Sequence, residues 1–292
     1  MGILFLSSCQ SPKEEYRFLF VGHSYDWSNW RGNKIDSRLE KIKKSDFDGF
    51  WLGGDVCSNT TLNPKTLRYL DKQFDLRNPN SHFVMGNHDY RDNNLDAYFN
   101  ATGRPDFYTS SFEGMVVSVL NTNLNSSNCK RLDEQYQMLQ NVCDTISQAS
   151  HYVLLMHHQI FENIDGLQGF KSNGVCKYYS MNCASADSYF DTTFYPHLVE
   201  LEKKGIEVIV VMGDTGWHKG SEKISKDGVT FLASGINNSY YIGKETKVSD
   251  IQKDQVLIFT FNTKSQSLDY EFVELNELSN TNFEEWLSDV PK

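Results

Sequence analysis

The stretch from His82 to Asp89 reads HFVMGNHD, and it decides the fold. His82 to Met85 is a short apolar run, stopped at once by Gly86-Asn87-His88-Asp89. A run of that length bounded by Gly and Asn predicts a buried strand with a turn at its carboxyl end. Gly86 is expected there because it lets the backbone turn tightly. Asn87 offers a neutral amide oxygen to a cation. His88 can donate a proton or stabilise an oxyanion, and Asp89 is expected to hold the His88 ring in one tautomer. Four such residues can also be an ordinary capped turn, so the surroundings decide.

The same pattern recurs on both sides. Arg17 to Val21 ends in Gly22-His23, and Phe47 to Leu52 ends in Gly53-Gly54-Asp55. Val116 to Leu120 ends in Asn121-Thr122-Asn123, His151 to Met156 in His157-His158, and Glu207 to Met212 in Gly213-Asp214. Ile35 to Lys44, Asn63 to Phe74, Leu132 to Ser147 and Phe194 to Lys204 carry helical apolar spacing. Alternating strands and helices predict an α/β fold, whose functional groups gather at the carboxyl ends of strands. Val256 to Phe261 and Leu268 to Val273 predict a closing hairpin. Glu162 to Asp191 has no clear period and is expected to be a substrate-facing loop. Residues 16–275 are expected to form the main domain, 276–292 a polar acidic tail, and 1–15 a terminal segment.

Carboxylate, amide and imidazole donors at successive strand ends suit divalent cations such as Mn, Fe or Zn. A carboxylate with two oxygens can bridge two cations about 3.5–4 Å apart, the geometry of two-metal hydrolysis. In the order of these motifs, from Phe18 to Ser234, the chain resembles the calcineurin-like metallophosphoesterase superfamily. Asp133 to Leu139 also resembles that family's Gln-containing segment before the His strand. The resemblance implies a four-layer α/β/β/α sandwich with mixed sheets. It implies one or two divalent metal ions and hydrolysis of a small phosphorylated substrate by a metal-bound hydroxide. Asp55 matches the bridging aspartate, Asn87 the amide ligand, His88 the catalytic histidine, Asp89 its partner and His157 the histidine ligand. His158 is then a supporting residue, or the ligand if the register slips by one.

Two motifs depart from the family. The first strand usually ends in Gly-Asp-x-His, and here it ends in Gly22-His23-Ser24-Tyr25. The last metal strand usually ends in Gly-His-x-His, and here it ends in Gly213-Asp214-Thr215-Gly216. His and Asp have changed places, and the count of carboxylates is kept by Asp55 and Asp214. The second metal retains Asp55, Asn87, His157 and Asp214. The first is left with His23 and Asp55, with Tyr25, Asp26 or His218 as candidate supplements. Two alternatives stand beside phosphoester hydrolysis: a non-catalytic, metal-containing binding protein of the cell envelope, and a hydrolase of a non-phosphate ester.

The net charge of -10 repels polyanions, and Lys and Arg are dispersed, which excludes a nucleic-acid scaffold role. Leu6-Ser7-Ser8-Cys9 resembles the bacterial lipoprotein processing box, although the apolar run before it is short and lacks a basic flank. Lipidation at Cys9 would attach the chain to a membrane of the cell envelope; the alternative is a cytoplasmic protein with a chance cysteine. Cys129 with Cys143 and Cys176 with Cys183 are expected as local disulfides, with free buried thiols as the alternative and Cys57 left over.

Overall fold

The apolar runs become strands because both of their faces find cover. A computed structural model describes residues 13–91, 94–168, 179–185, 187–215, 221–237 and 253–289. The first sheet contains β1 (Glu15–Val21), β2 (Gly49–Leu52), β3 (His82–Phe83), β10 (Gln255–Asn262) and β11 (Ser267–Glu274), in the order β11-β10-β1-β2-β3. Strands β1, β2 and β3 run parallel, and β10 and β11 are antiparallel neighbours. The second sheet contains β4 (Tyr108–Phe112), β5 (Met115–Val119), β6 (His151–Met156), β7 (Glu207–Met212), β8 (Ser221–Lys226) and β9 (Val229–Ser234). Its order is β4-β5-β6-β7-β9-β8, parallel in the middle and antiparallel at both edges.

Side chains alternate across each strand with a period of two. Phe18 and Phe20 of β1 point between the sheets with Trp51, Val153, Leu155, Ile209 and Val211. Leu19 and Val21 point outward, with Leu39, Leu70 and Phe74, under the helices α1 (Ser37–Lys41) and α2 (Pro64–Phe74). Tyr152, Leu154, Val208 and Val210 face the opposite way, under α5 (Cys129–Thr145) and α6 (Tyr195–Lys203). The result is the expected four-layer α/β/β/α sandwich. Between β3 and β4 lie the single turn α3 (Asn87–Tyr90) and the helix α4 (Leu95–Thr102).

Three expectations need correction. The helix expected from Ile35 to Lys44 is only Ser37–Lys41, because the Asp36 carboxylate caps it and Ile42 is already extended. The segment 276–292 is not simply a polar tail: its described part forms helices Leu275–Leu278 and Phe283–Asp289. Trp286 is buried, with the Arg38 guanidinium 3.7 Å above its ring. The disulfide is Cys129–Cys183. Cys129 cannot reach Cys143, since both lie on α5, and fourteen helical residues span roughly 21 Å, well beyond disulfide reach. Cys143 and Cys57 are buried free thiols. Cys176 lies outside the described residues, as does Cys9.

Of the segment Glu162 to Asp191, the described part is packed rather than open. Leu167, Tyr179, Met181 and Phe190 are buried in the core beneath α5 and α6. Cys183 is tied to α5 twice, by the disulfide and by its backbone N–H donating to Asp133 at 2.7 Å.

Candidate metal centre

Backbone pairing carries on past the strand ends and aligns the site. In the first sheet Gly53 N–H donates to Val21 and His23 N–H to Gly54, which sets His23 beside Asp55. In the second, Gly213 N–H donates to Met156 and Asp214 N–H to His157, which sets His157 beside Asp214. Glycine then lets the two sheets touch. A Cβ on Gly213 would lie 2.0 Å from the Gly53 carbonyl oxygen, so no other residue permits this approach. His23 and Asp214, the exchanged pair, are thereby brought face to face.

The distances are short and the groups are buried. His23 Nε2 lies 3.4 Å from Asp55 Oδ2 and 3.6 Å from Asp214 Oδ1. His157 Nε2 lies 3.5 Å from Asp55 Oδ1 and 3.9 Å from Asp214 Oδ1. Each Asp55 oxygen thus faces a different imidazole, and Oδ1 also accepts the His88 backbone N–H at 2.8 Å. His23, Asp55, His157 and Asp214 all have relative exposures of 3% or less, so water does not screen them. His23 and Asp55 both adopt φ of 50°. The left-handed region costs a non-glycine residue about 1–2 kcal/mol, and such strain collects at functional sites.

Electrostatics follow from this packing. Burial disfavours charge on His157, but Asp55 and Asp214 outweigh it and raise its pKa to about 10. Burial lowers the pKa of His23 to about 3 despite Asp55, helped by the nearby His157. Burial works against the Asp55 anion, yet His157 and His23 hold its pKa below the usual carboxylate range. Two buried carboxylates therefore demand positive charge, and the lone pair on His157 Nε2 is where a proton or a cation supplies it.

The donor set fits a divalent cation. His157 Nδ1 donates to the Gly53 carbonyl at 2.8 Å, which fixes the ring and aims Nε2 into the site. Among the described residues that buried Nε2 has no hydrogen-bond partner, and neither has His23 Nδ1. One ligand atom each from His157, His158 and Asp214 falls within 4.8 Å of the others. Asn87 is at the rim, its Oδ1 3.2 Å from His158 Nε2.

Several expected roles move. Asp89 is not the partner of the His88 ring. Its carboxylate accepts from Gly86 N–H at 2.9 Å, Val56 N–H at 3.1 Å and the Thr60 hydroxyl. Successive helical residues point in different directions, so Asp89 faces the α3 amino terminus while His88 faces the cleft. Burial and the Asp55 charge push the Asp89 pKa up to about 7, against the pull of Thr60 and Gly86. The His88 ring instead meets the Ser58 carbonyl at 3.0 Å through Nδ1, with Arg91 3.2 Å from the same nitrogen. Its Nε2 points to Asp55 Oδ2 at 3.9 Å. Gly86 serves space rather than a turn: its φ is -84°, and a Cβ would lie 2.1 Å from Asp55 Oδ1. Asp26 Oδ1 is taken up by Ser28, whose N–H and hydroxyl donate to it at 3.0 and 2.6 Å. Tyr25 stands 5.1 Å from the His23 and His88 rings alike, and Trp27 stacks on His23 at 4.7 Å. His218 lies outside the described residues.

Sequence reasoning passed over Ser58, read Trp27 as packing and gave Thr122 no role. Only Thr122 had a signal, its place in the strand-end turn after β5.

The comparisons agree with this architecture. Residues 17–235 match the model of the calcineurin-like phosphoesterase family, and the chain belongs to that family. Among solved structures it is similar to "GAP50 the anchor in the inner membrane complex of Plasmodium", with 12% identity and a TM-score of 0.50. That match covers 91% of this chain and 86% of the other, and at such identity it shows the fold alone. A comparison with curated proteins finds no match.

Proposed function

We propose that this chain is a metal-dependent hydrolase of phosphate esters. The observation that carries the proposal is the buried His157 Nε2, without a hydrogen-bond partner among the described residues and aimed between Asp55 and Asp214. His157, Asp55, Asp214 and His23 would hold the cation, with Asn87 at its open side. When bound, a divalent cation supplies Lewis acidity and neutralises charge at a phosphoryl group. Without such charge the two carboxylates would repel an anionic substrate.

The chain's own residues supply the rest. The His88 side chain is 22% open to solvent, against 4% for His23 and 0% for His157. A leaving group can therefore reach it from outside. With Nδ1 held at the Ser58 carbonyl, Nε2 faces the Asp55 side of the cleft and is placed to pass a proton to the leaving oxygen. Tyr25 and Trp27 form an apolar wall that excludes water beside His23. The Cys129–Cys183 disulfide supports placement in an oxidising compartment such as the cell envelope.

Turnover of a chromogenic phosphodiester and monoester with added Mn tests the proposal. The parent should be active, and His88→Ala and Asp55→Ala should each lose at least about 100-fold, the scale of a lost general acid. An inactive parent across Mn, Fe and Zn would favour a non-catalytic binding protein instead.

A further inference from the structure

The turn Asn121-Thr122-Asn123 ends β5 next to the site, and the mechanism above leaves it unused. Thr122 is buried and meets His158 twice. Its Oγ1 accepts the His158 backbone N–H at 3.1 Å and lies 2.8 Å from His158 Nδ1. The other ring nitrogen, Nε2, lies 3.2 Å from Asn87 Oδ1. One residue further on, Asn123 donates from Nδ2 to the Met85 carbonyl at 2.9 Å, just before Gly86-Asn87.

Proton accounting decides how this chain of contacts runs. A threonine hydroxyl has one hydrogen and two lone pairs. One lone pair of Thr122 is taken by the His158 backbone. Among the described residues, its hydrogen has one acceptor within reach, His158 Nδ1. A buried hydroxyl that failed to donate there would lose a hydrogen bond, at a cost of about 1–3 kcal/mol. A neutral ring that accepts at Nδ1 must carry its proton on Nε2, and that proton points at the Asn87 amide oxygen.

We infer that Thr122 and His158 form a positioning relay that fixes the His158 tautomer and, through it, the orientation of the Asn87 carboxamide. Asn87 then presents its oxygen toward the cleft and its amide hydrogens away from it. The second lone pair on that oxygen stays available to a cation. In this relay His158 acts as a positioning residue, although one of its ring nitrogens falls within 4.8 Å of ligand atoms of His157 and Asp214. The effect on metal affinity rests on the metal-centre proposal; the tautomer stands on the hydrogen bonds alone.

The test is ring nitrogen NMR on the full chain labelled with ¹⁵N-histidine, with and without Zn²⁺, together with Zn²⁺ titration calorimetry. The parent should show His158 with a bare Nδ1 and a protonated Nε2, unchanged at Zn²⁺ saturation. Thr122→Ser should keep that signature. Thr122→Val removes the donor, so the Nδ1 resonance should move to that of an acceptor without a hydrogen bond and Zn²⁺ binding should weaken by roughly 10- to 100-fold, as loss of an outer-shell partner does. A parent ring protonated at Nδ1, or loss of the His158 Nε2 proton on adding Zn²⁺, would overturn the relay. A Thr122→Val protein with the parent's Nδ1 resonance and Zn²⁺ affinity would do the same. A chain that shows the predicted tautomer yet binds no Zn²⁺ would leave the relay standing and count against the metal centre.

Discussion

At Gly86 the limiting quantity is space. A methyl group there would collide with the Asp55 carboxylate and with its backbone nitrogen at 2.4 Å, and backbone cannot swing aside. Gly86→Ala should destabilise the fold by about 1–3 kcal/mol, the usual cost of overpacking, and displace Asp55. Urea unfolding measures the first effect and loss of metal affinity the second. His82 makes a different prediction. Burial lowers its pKa from 6.5 to about 3, with help from Arg104, and its Nδ1 pairs with the Tyr108 hydroxyl at 3.0 Å. The folded value lies below the unfolded one, so between pH 3 and 6.5 the unfolded chain binds the extra proton. Stability should be complete above pH 6.5 and fall by a few kcal/mol as pH drops toward 3. His82→Gln should flatten that slope in denaturant titrations repeated across pH; an unchanged slope would count against a buried neutral His82. Residue types at the site were legible because each follows a strand. Their partners were not: that Asp89 serves Gly86, Val56 and Thr60 depends on where β2's exit loop folds, which no local pattern records.

Strands were legible where both faces are buried, since β6 and β7 read as unbroken apolar runs. Helix α1 was overread because the apolar spacing continues past Ile42 after the helix has ended. What anchors its start is tertiary. Arg38 is fully buried and holds Asp36 through Nε at 2.9 Å, Asp254 at 2.5 Å and Asn276 at 2.9 Å. Residues 216 and 238 positions away cannot be seen in a local window. This network also pins the carboxy-terminal helices, with Trp286 beneath the guanidinium. Arg38→Met should cost about 3–5 kcal/mol, because it strands two buried carboxylates. Chemical denaturation checks it, and a cost under about 1 kcal/mol would show that Asp36 and Asp254 are satisfied without Arg38.

Across the whole molecule, two sheets from distant parts of the chain meet backbone to backbone at Gly53 and Gly213, and the site exists only at that meeting. The layers were legible in the alternation of strand and helix, and so was the order of motifs. The disulfide was not, because Cys129 and Cys183 are 54 residues apart and approach only when the 179–191 arm packs on α5. Cys129→Ser should lower stability by about 2–4 kcal/mol, measured under non-reducing conditions and matched by reduction of the parent. The exchanged pair His23 and Asp214 would complete a working metal centre with Asp55 and His157. Anomalous diffraction from a crystal soaked in Mn²⁺ tests it most directly. An anomalous peak bonded to His157 Nε2 and to oxygens of Asp55 and Asp214 is expected, absent in Asp214→Asn. A saturating soak with no peak at those atoms, or a peak that persists unchanged in Asp214→Asn, would contradict it.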